Sequence, residues 1–188
     1  MPLQEGVNAL LLIAADVARK NCVADAGVVA RFQAVTEVTI YTGDHPGLFA
    51  RIAGAMAVSG ANIVEATIFT MTNGMALDVF LVQDAAGEAF DSESRIQRLA
   101  RRVEQTLTGK LNPARELAKR PAFPSRTRVF TVEPRVLISN TASRTHSVVE
   151  VNGRDRPGLL HDVTRALTAL GLQISGALIT TYGERAVD

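Results

Sequence analysis

The sequence has one cysteine and almost no net charge, and each shortage excludes a class of function. With only Cys22, the 188-residue chain can form no internal disulfide and no multi-cysteine metal site. We therefore expect a reducing compartment, with the cytoplasm as the default. The formal net charge of +1 gives no overall attraction to nucleic acid or to an anionic membrane surface. Neither nucleic acid nor membrane is expected among the partners.

The sequence also lacks an apolar run long enough to cross a membrane. Residues 8–15 form an apolar run, but a spanning helix needs roughly 20 such residues. A signal peptide would carry basic residues ahead of this run, whereas Glu5 stands there and Asp16 ends it. The spacing of apolar residues instead predicts an amphipathic N-terminal helix over residues 5–20, followed by a connector to residue 35.

Catalytic patterns are missing as well. We find no glycine-rich phosphate loop and no paired carboxylates suited to nucleotidyl transfer with two metal ions. The pair His161-Asp162 invites comparison with the metal-binding pair of phosphohydrolases, but the chain has three histidines in all, and the other two lie in unrelated contexts. We expect His161 on the exposed side of a helix. The sequence predicts no catalytic residue, no metal site and no cofactor.

One local cluster of basic residues stands out against the neutral background. Residues 109–128 contain six basic side chains and one acidic one, Glu116. The aromatic residues beside them, Phe123 and Phe130, are too few to form a base-stacking surface. A solvated linker is favoured over an arm that binds nucleic acid.

What the sequence does contain is an internal repeat. The string Asp-His-Pro-Gly-Leu at residues 44–48, the first turn, returns as Asp-Arg-Pro-Gly-Leu at residues 155–159, the second turn, 111 residues later. Without a gap, residues 38–70 and 149–181 agree at 11 of 33 positions. β-Branched alternation precedes the first turn and helically spaced apolar residues follow both, so each string is predicted to connect a strand to a helix. Two small domains fit this repeat.

The composition of the first turn favours a bare helix N-terminus. Asp44 or His45 can cap the helix, Pro46 suits its first position, and Gly47 leaves the backbone accessible. Exposed N–H groups and the helix dipole would attract a carboxylate or phosphate, which suggests a small anionic or zwitterionic ligand. From the residues alone the alternative, a capped turn without a ligand, stays open and is the commoner case.

The pattern around the first turn predicts an α+β unit. Strands are expected over 37–42, 62–71 and 75–83, the last two joined in a hairpin by Asn73-Gly74. Helices are expected over 46–59, from Asp91 or Ser92 to Gly109, and briefly from Pro113. Residues 136–138 supply the next strand.

This order, with Asp-x-Pro-Gly-Leu at the first turn and Gly-Ala-Asn-Ile at 60–63, resembles the ACT domain, a ferredoxin-like βαββαβ module that binds amino acids. The resemblance implies a first ACT domain over 36–138, which includes the basic linker, and an incomplete second one over 147–188. ACT domains place ligands where this turn meets a neighbouring domain, so it also implies other ACT domains as partners and a homo-oligomer. The implied ligand-binding residues are Asp44, His45, Gly47, Leu48 and Asn62 in the first unit, and Asp155, Arg156, Gly158, Leu159 and Gln173 in the second. Because Arg156 replaces His45 and Gln173 replaces Asn62, equal affinity at the two turns is not expected.

Longer strings, among them residues 36–42, 60–64, 74–78 and 150–160, resemble the C-terminal tandem ACT region of the bifunctional uridylyltransferase/uridylyl-removing enzymes, which act on the PII nitrogen-signalling protein. The resemblance covers roughly residues 31–188. It implies a regulatory module that senses glutamine, with PII met only through catalytic domains outside this chain. The alternative is an assembly module whose ACT sheets pair without binding a ligand.

Overall fold

The computed structural model describes the backbone of residues 10–14 and the whole of residues 35–90, 92–119, 133–154 and 156–179. The secondary structure in these ranges alternates strands and helices in the manner of an α+β protein. In chain order the elements are β1 (Leu10–Ala14), β2 (Thr36–Gly43), α1 (Leu48–Ser59), β3 (Asn62–Thr70), β4 (Met75–Gln83), α2 (Glu93–Leu107), α3 (Pro113–Ala118), β5 (Arg135–Ser139), β6 (Val148–Asn152), α4 (Leu159–Ala169) and β7 (Gly176–Leu178).

Five strands form the main sheet, which is antiparallel throughout and has the order β1-β2-β4-β3-β7. β3 and β4 form the predicted hairpin. Gly74 has a φ of 77°, and the side chain of Asn73 accepts a hydrogen bond from the N–H of Met75 at 3.1 Å. Both features belong to turn residues, which confirms that the Asn-Gly pair makes the hairpin.

The core lies between this sheet and the helices. Alternate residues of β2 and β4 point to the helices, among them Ile40 and Phe80, and both are almost completely buried. Phe80 packs against Phe49 of α1 with ring centroids 5.6 Å apart. α1, α2 and α3 lie close to their predicted positions, and the side chain of Asn112 caps α3. The mixed α/β architecture with antiparallel sheets confirms the predicted class.

The N-terminal segment corrects one prediction. Residues 10–14 do not form part of a helix over 5–20; they form β1, which runs antiparallel to β2 from Leu10 opposite Tyr41 to Ala14 opposite Glu37. The five residues are apolar on every side, so their spacing fits a strand as well as a helix. The edge of β2 offers hydrogen-bonding groups along its length, and this favours the strand. The rest of the predicted helix, and Cys22, lie outside the described residues.

The strand predicted to complete the first unit pairs elsewhere. β5 contains residues 136–138, but it forms a separate two-stranded sheet with β6, from Arg135 opposite Asn152 to Ser139 opposite Val148. Only residues 140–147 separate these strands, so closing the hairpin costs little chain entropy. β1 lies along the edge of β2, where a βαββαβ unit would place its last strand. Residues 120–128 of the predicted basic linker lie outside the described part of the chain.

Elements of the second repeat copy pack directly on the first. β7 extends the main sheet, with Glu65 of β3 opposite Leu178 and Thr67 opposite Gly176. α4 lies antiparallel to α1: a Cβ on Gly47, at the start of α1, would lie 3.5 Å from Thr168 near the end of α4. The two repeat copies therefore share one sheet and one helix-to-helix contact.

His161 corrects a second prediction, because it is buried and not on an exposed side. Its Nδ1 lies 2.8 Å from the carbonyl oxygen of Ala50, the residue that occupies the same position in the first copy. The close approach needs a glycine in α1: a Cβ on Gly54 would lie 2.5 Å from Pro113 and 2.7 Å from His161. His161 therefore belongs to the junction of α1, α3 and α4.

Candidate functional site

The first turn is a type II β-turn. The N–H of Leu48 donates to the carbonyl oxygen of His45 at 3.1 Å, with Pro46 and Gly47 in the central positions. Gly47 has φ 83° and ψ 2°, the values that the third residue of a type II turn needs and that glycine adopts without strain. Gly47 is the N-cap of α1, and no side chain caps the helix. The suggestion that Asp44 or His45 caps it is therefore wrong.

The second turn repeats this backbone. The N–H of Leu159 donates to the carbonyl oxygen of Arg156 at 3.0 Å, and Gly158 has φ 85° and ψ 4°. Its surroundings differ, because a Cβ on Gly158 would lie 2.8 Å from the side chain of Leu117. Arg156 is held by Asp162, with 2.5 Å between Nη2 and Oδ2. Asp155 lies outside the described residues. The second turn is thus the more enclosed of the two.

The first turn leaves helix N–H groups available. In any α-helix the N–H groups of the first turn have no acceptor within the helix. The N–H of Leu48 is used by the β-turn, and Arg51 makes the first helical bond, to the carbonyl oxygen of Gly47. No acceptor in the described part of the chain takes the N–H groups of Phe49 and Ala50. The positive end of α1 can therefore receive a carboxylate.

Asp44 is held beside this helix end and does not cap it. Its N–H donates to the carbonyl oxygen of Gly74 at 3.0 Å, and its Oδ2 accepts from the hydroxyl of Thr70 at 2.9 Å. Both contacts fix it to the β3–β4 hairpin. The exposed carboxylate thus lies at the end of the main sheet that carries the first turn, which we name the turn end.

Next to Asp44, two layers of side chains on the helix-facing side of the sheet contain polar residues. Residues directly opposite one another in paired strands share a face. The outermost layer consists of Thr42, Ala76 and Thr70, and the next consists of Ile40, Asp78 and Ile68. Asp78 therefore occupies the centre of an otherwise aliphatic layer, two residues inside the turn end.

Asp78 is the residue that the sequence prediction missed. Its side chain is 1% exposed, and Oδ1 has no hydrogen-bond partner among the described residues. Burial, and then the charge of Asp44, raise the pKa of the Asp78 carboxyl from 3.8 to about 7. The available signal was the alternation of β4, in which Asp78 falls in the inward series with Ala76 and Phe80. A buried, unpaired carboxyl with a perturbed pKa is typical of a functional site.

Asn62 is not brought to the first turn within its own unit. It pairs with Gln83 at one end of β4, whereas Gly43, next to the turn, pairs with Met75 at the other end. Eight residues of strand separate the two positions, about 26 Å. Asn62 instead donates to the carbonyl oxygen of Asp84 at 3.4 Å. Because α1 and α4 are antiparallel, the second turn lies toward the Asn62 end of α1.

Gln173, the counterpart of Asn62 in the second copy, precedes β7 and lies on the turn-end side of that strand. The N–H of Ile68 donates to the carbonyl oxygen of Ser175 at 3.3 Å, in register with the pairing of β3 and β7. Residues 172–174 lie before β7 and outside any strand, and Ile174 packs against the core while Gln173 is exposed, so the register does not fix Gln173 opposite Thr70. The first turn and Asn62 are therefore not combined within one unit, and the alternative that this topology offers is a crosswise arrangement, with the turn from one unit and the amide side chain from the other.

Two kinds of feature are absent from the part of the chain that the structure describes. No group of three or more histidine, cysteine, aspartate or glutamate residues is placed to hold a metal ion. None of the helices is long and apolar enough to cross a membrane.

Curated proteins of one kind resemble the chain closely. A bifunctional uridylyltransferase/uridylyl-removing enzyme of Azospirillum brasilense is 64% identical over 160 residues, which are 84% of this chain and 17% of that enzyme. Enzymes of the same name from Rhodospirillum rubrum and Nitrobacter hamburgensis are 55% and 45% identical over 83% and 82% of the chain. The chain is homologous to one segment of the bifunctional uridylyltransferase/uridylyl-removing enzymes.

This homology covers most of the chain but little of each enzyme. The chain spans 16–17% of the length of these bifunctional uridylyltransferase/uridylyl-removing relatives. No protein-family profile matches the chain, and no solved structure matches it significantly. The comparisons therefore concern one segment of these relatives and do not reach the rest of their length.

Proposed function

We propose that the chain is a regulatory module that binds an amino acid at the first turn and thereby controls the uridylyltransferase and uridylyl-removing activities of a longer enzyme. By family resemblance the amino acid is glutamine, the setting is nitrogen regulation in the cytoplasm, and PII is met only by other parts of that enzyme. Catalysis is likewise assigned to those parts. The observation that carries the proposal is the free helix N-terminus of α1, and it is supported by β7, which joins the main sheet with Gln173 on the turn-end side of the strand.

The binding chemistry follows from that arrangement. The N–H groups of Phe49 and Ala50 suit an α-carboxylate, which the positive end of the α1 dipole stabilises. Gly47 carries no side chain that would keep the ligand from this backbone. The side-chain amide of Gln173 can both donate to and accept from an amide such as that of glutamine. One small ligand would then contact both repeat units.

Titration calorimetry with glutamine and a panel of other amino acids tests the proposal. Gly47→Val should abolish binding, because the side chain enters the site and φ 83° is strained for valine. Gln173→Ala should weaken binding by about fivefold, the effect of one lost neutral hydrogen bond. Asn62→Ala is the matched control for the first turn, since it removes an amide at the far end of the sheet.

The titrations of these variants distinguish the first-turn site from its alternatives. Binding in Gly47→Val at the parent affinity would contradict the first-turn site, provided that the variant melts as cooperatively as the parent. A loss in Asn62→Ala equal to that in Gln173→Ala would refute the crosswise arrangement and favour a site completed by a second molecule. No binding by any amino acid would refute the proposed function.

A second function, assembly without a ligand, is favoured by one observation. The two-stranded sheet exposes apolar side chains, among them Ile138 at 69% and Val136 at 58%. Large apolar patches of this kind mark surfaces that pair with other proteins. Light scattering across micromolar to high concentration tests it, and a monomer throughout, with and without glutamine, would rule out self-association.

A further inference from the structure

Asp78 has no evident structural task in the described part of the fold. It lies between Ile40 and Ile68 in a layer that packing would fill with apolar side chains. Its buried Oδ1 makes no hydrogen bond, and the carboxyl forms no salt bridge with the described residues. A buried carboxyl without a partner costs stability, so such a residue calls for a reason other than folding.

The position of Asp78 relates it to the first turn. It lies two residues, about 7 Å, inside the turn end of the sheet. The layer between is formed by the hydroxyl side chains of Thr42 and Thr70 on either side of the small Ala76. Asp78 and Phe80 lie on the same face of β4, and Phe80 packs against Phe49 at the start of α1, so Asp78 faces the side of the sheet that α1 covers. The charge of Asp44 acts on Asp78.

No cation of the described residues neutralises this region. Arg51, the basic residue in the first turn of α1, directs its guanidinium to the carbonyl oxygens of Thr106 and Leu107 at the end of α2. Lys119 and Arg95 pair with other carboxylates. The ring of His45 faces the carbonyl oxygen of its neighbour Pro46. The region therefore presents N–H groups for an anion next to two carboxyls that suit a cation.

We infer that Asp78 is a ligand-binding residue that receives the α-ammonium group of the effector, with Asp44 beside it. This inference rests on the proposed binding of an amino acid at the first turn. An α-amino acid carries a carboxylate and an ammonium group on adjacent atoms, as this site requires. A dicarboxylate or a phosphate would be repelled by the two carboxyls. The site thus selects zwitterions over simple anions.

Proton transfer accompanies this binding. In the free protein near pH 7, a fraction of the molecules carries a proton on Asp78. When the ammonium group arrives, the carboxyl ionises, and its proton passes to the buffer while the ligand keeps all of its own protons. The net reaction releases less than one proton for each ligand bound.

The experiment compares glutamine with glutaramate, which is glutamine without its α-amino group, by titration calorimetry of the 188-residue chain. The parent should bind glutamine about tenfold or more tightly than glutaramate, as expected for a charge-assisted contact. Asp78→Asn should lose most of this preference and keep only the part that Asp44 supplies. The released proton is taken up by the buffer, and phosphate and Tris differ in their enthalpy of protonation. The apparent enthalpy of glutamine binding at pH 7 should therefore differ between the two buffers for the parent. It should be the same in both buffers for Asp78→Asn.

Glu104→Gln, on the exposed face of α2, removes one negative charge elsewhere and should behave as the parent. If Asp78→Asn still prefers glutamine as strongly as the parent does, the inference is overturned while the proposed function stands. If the parent binds no amino acid, both fail. Asp78→Leu fills the same position with an apolar side chain and should fold stably. If this variant also loses the preference for glutamine over glutaramate, the loss comes from the missing carboxyl and not from misfolding.

Discussion

Replacing Asp78 should change how the stability of the protein depends on pH. The folded state raises the pKa of this carboxyl to about 7, chiefly through burial, whereas the unfolded chain has the ordinary value of 3.8. Between these two values the folded protein binds one proton more at Asp78 than the unfolded chain does. The free energy of unfolding should therefore fall by about 1.4 kcal/mol for each pH unit as the pH rises through this window.

The size of the effect follows from the difference of the two pKa values. About three pH units correspond to roughly 4 kcal/mol, present in full below pH 3.8 and lost above pH 7. Asp84 acts in a different window. The backbone N–H of Glu88, followed by Arg95, lowers its pKa below 3.8, so its contribution is lost only at more acidic pH.

Urea unfolding between pH 4.5 and pH 8 measures the effect. The parent should lose stability across this range, whereas Asp78→Leu should have a flat profile and exceed the parent above pH 7. Glu104→Gln should keep the parental slope. Parallel profiles for the parent and Asp78→Leu would refute the reasoning, because they would mean that Asp78 is ionised in the folded protein at all these pH values.

Three further predictions concern contacts between the helices and strands. Gly54→Ala should destabilise the protein by about 1–3 kcal/mol in thermal unfolding, because its Cβ would lie 2.5 Å from Pro113, and an unchanged midpoint would contradict this overlap. Arg51→Met should cost about 1–3 kcal/mol, since the carbonyl groups at the end of α2 lose a charged donor, and Arg51→Lys should recover part of it. Ala177→Pro should interrupt the pairing of β7 with β3 and raise amide exchange along both strands; exchange confined to residue 177 would show that the strands pair without it.

The sequence predicted the elements whose signals are local. The hairpin of β3 and β4 follows from Asn73-Gly74, and α3 follows from Asn112-Pro113, because turn and cap geometry depend on adjacent residues. β1 was mistaken for a helix because a uniformly apolar run has no period. The partner of β5 was also wrong, since strand pairing is decided by which edges are free and close in the fold.

The candidate site divides in the same way. The type II turns at Gly47 and Gly158 come from five-residue strings, so sequence alone could locate both. The position of Gln173 on the turn-end side of β7 depends on the pairing of segments more than 100 residues apart, which no local pattern encodes. Asp78 was missed because an acidic residue within a strand is ordinarily placed on the solvent face, and only the register with Ile40 and Ile68 shows it inside.

The attachment of the second unit to the main sheet is slight, because β7 contributes three residues to the ladder. Where a ligand spans both sides of a junction, its binding free energy adds directly to the free energy that holds the junction closed. The dependence is reciprocal, so whatever pulls α4 and β7 away from α1 and β3 must lower the affinity for the ligand by the same factor. For the regulatory role proposed above, the pairing of β7 with β3 is the contact through which effector binding would be coupled to any attached domain.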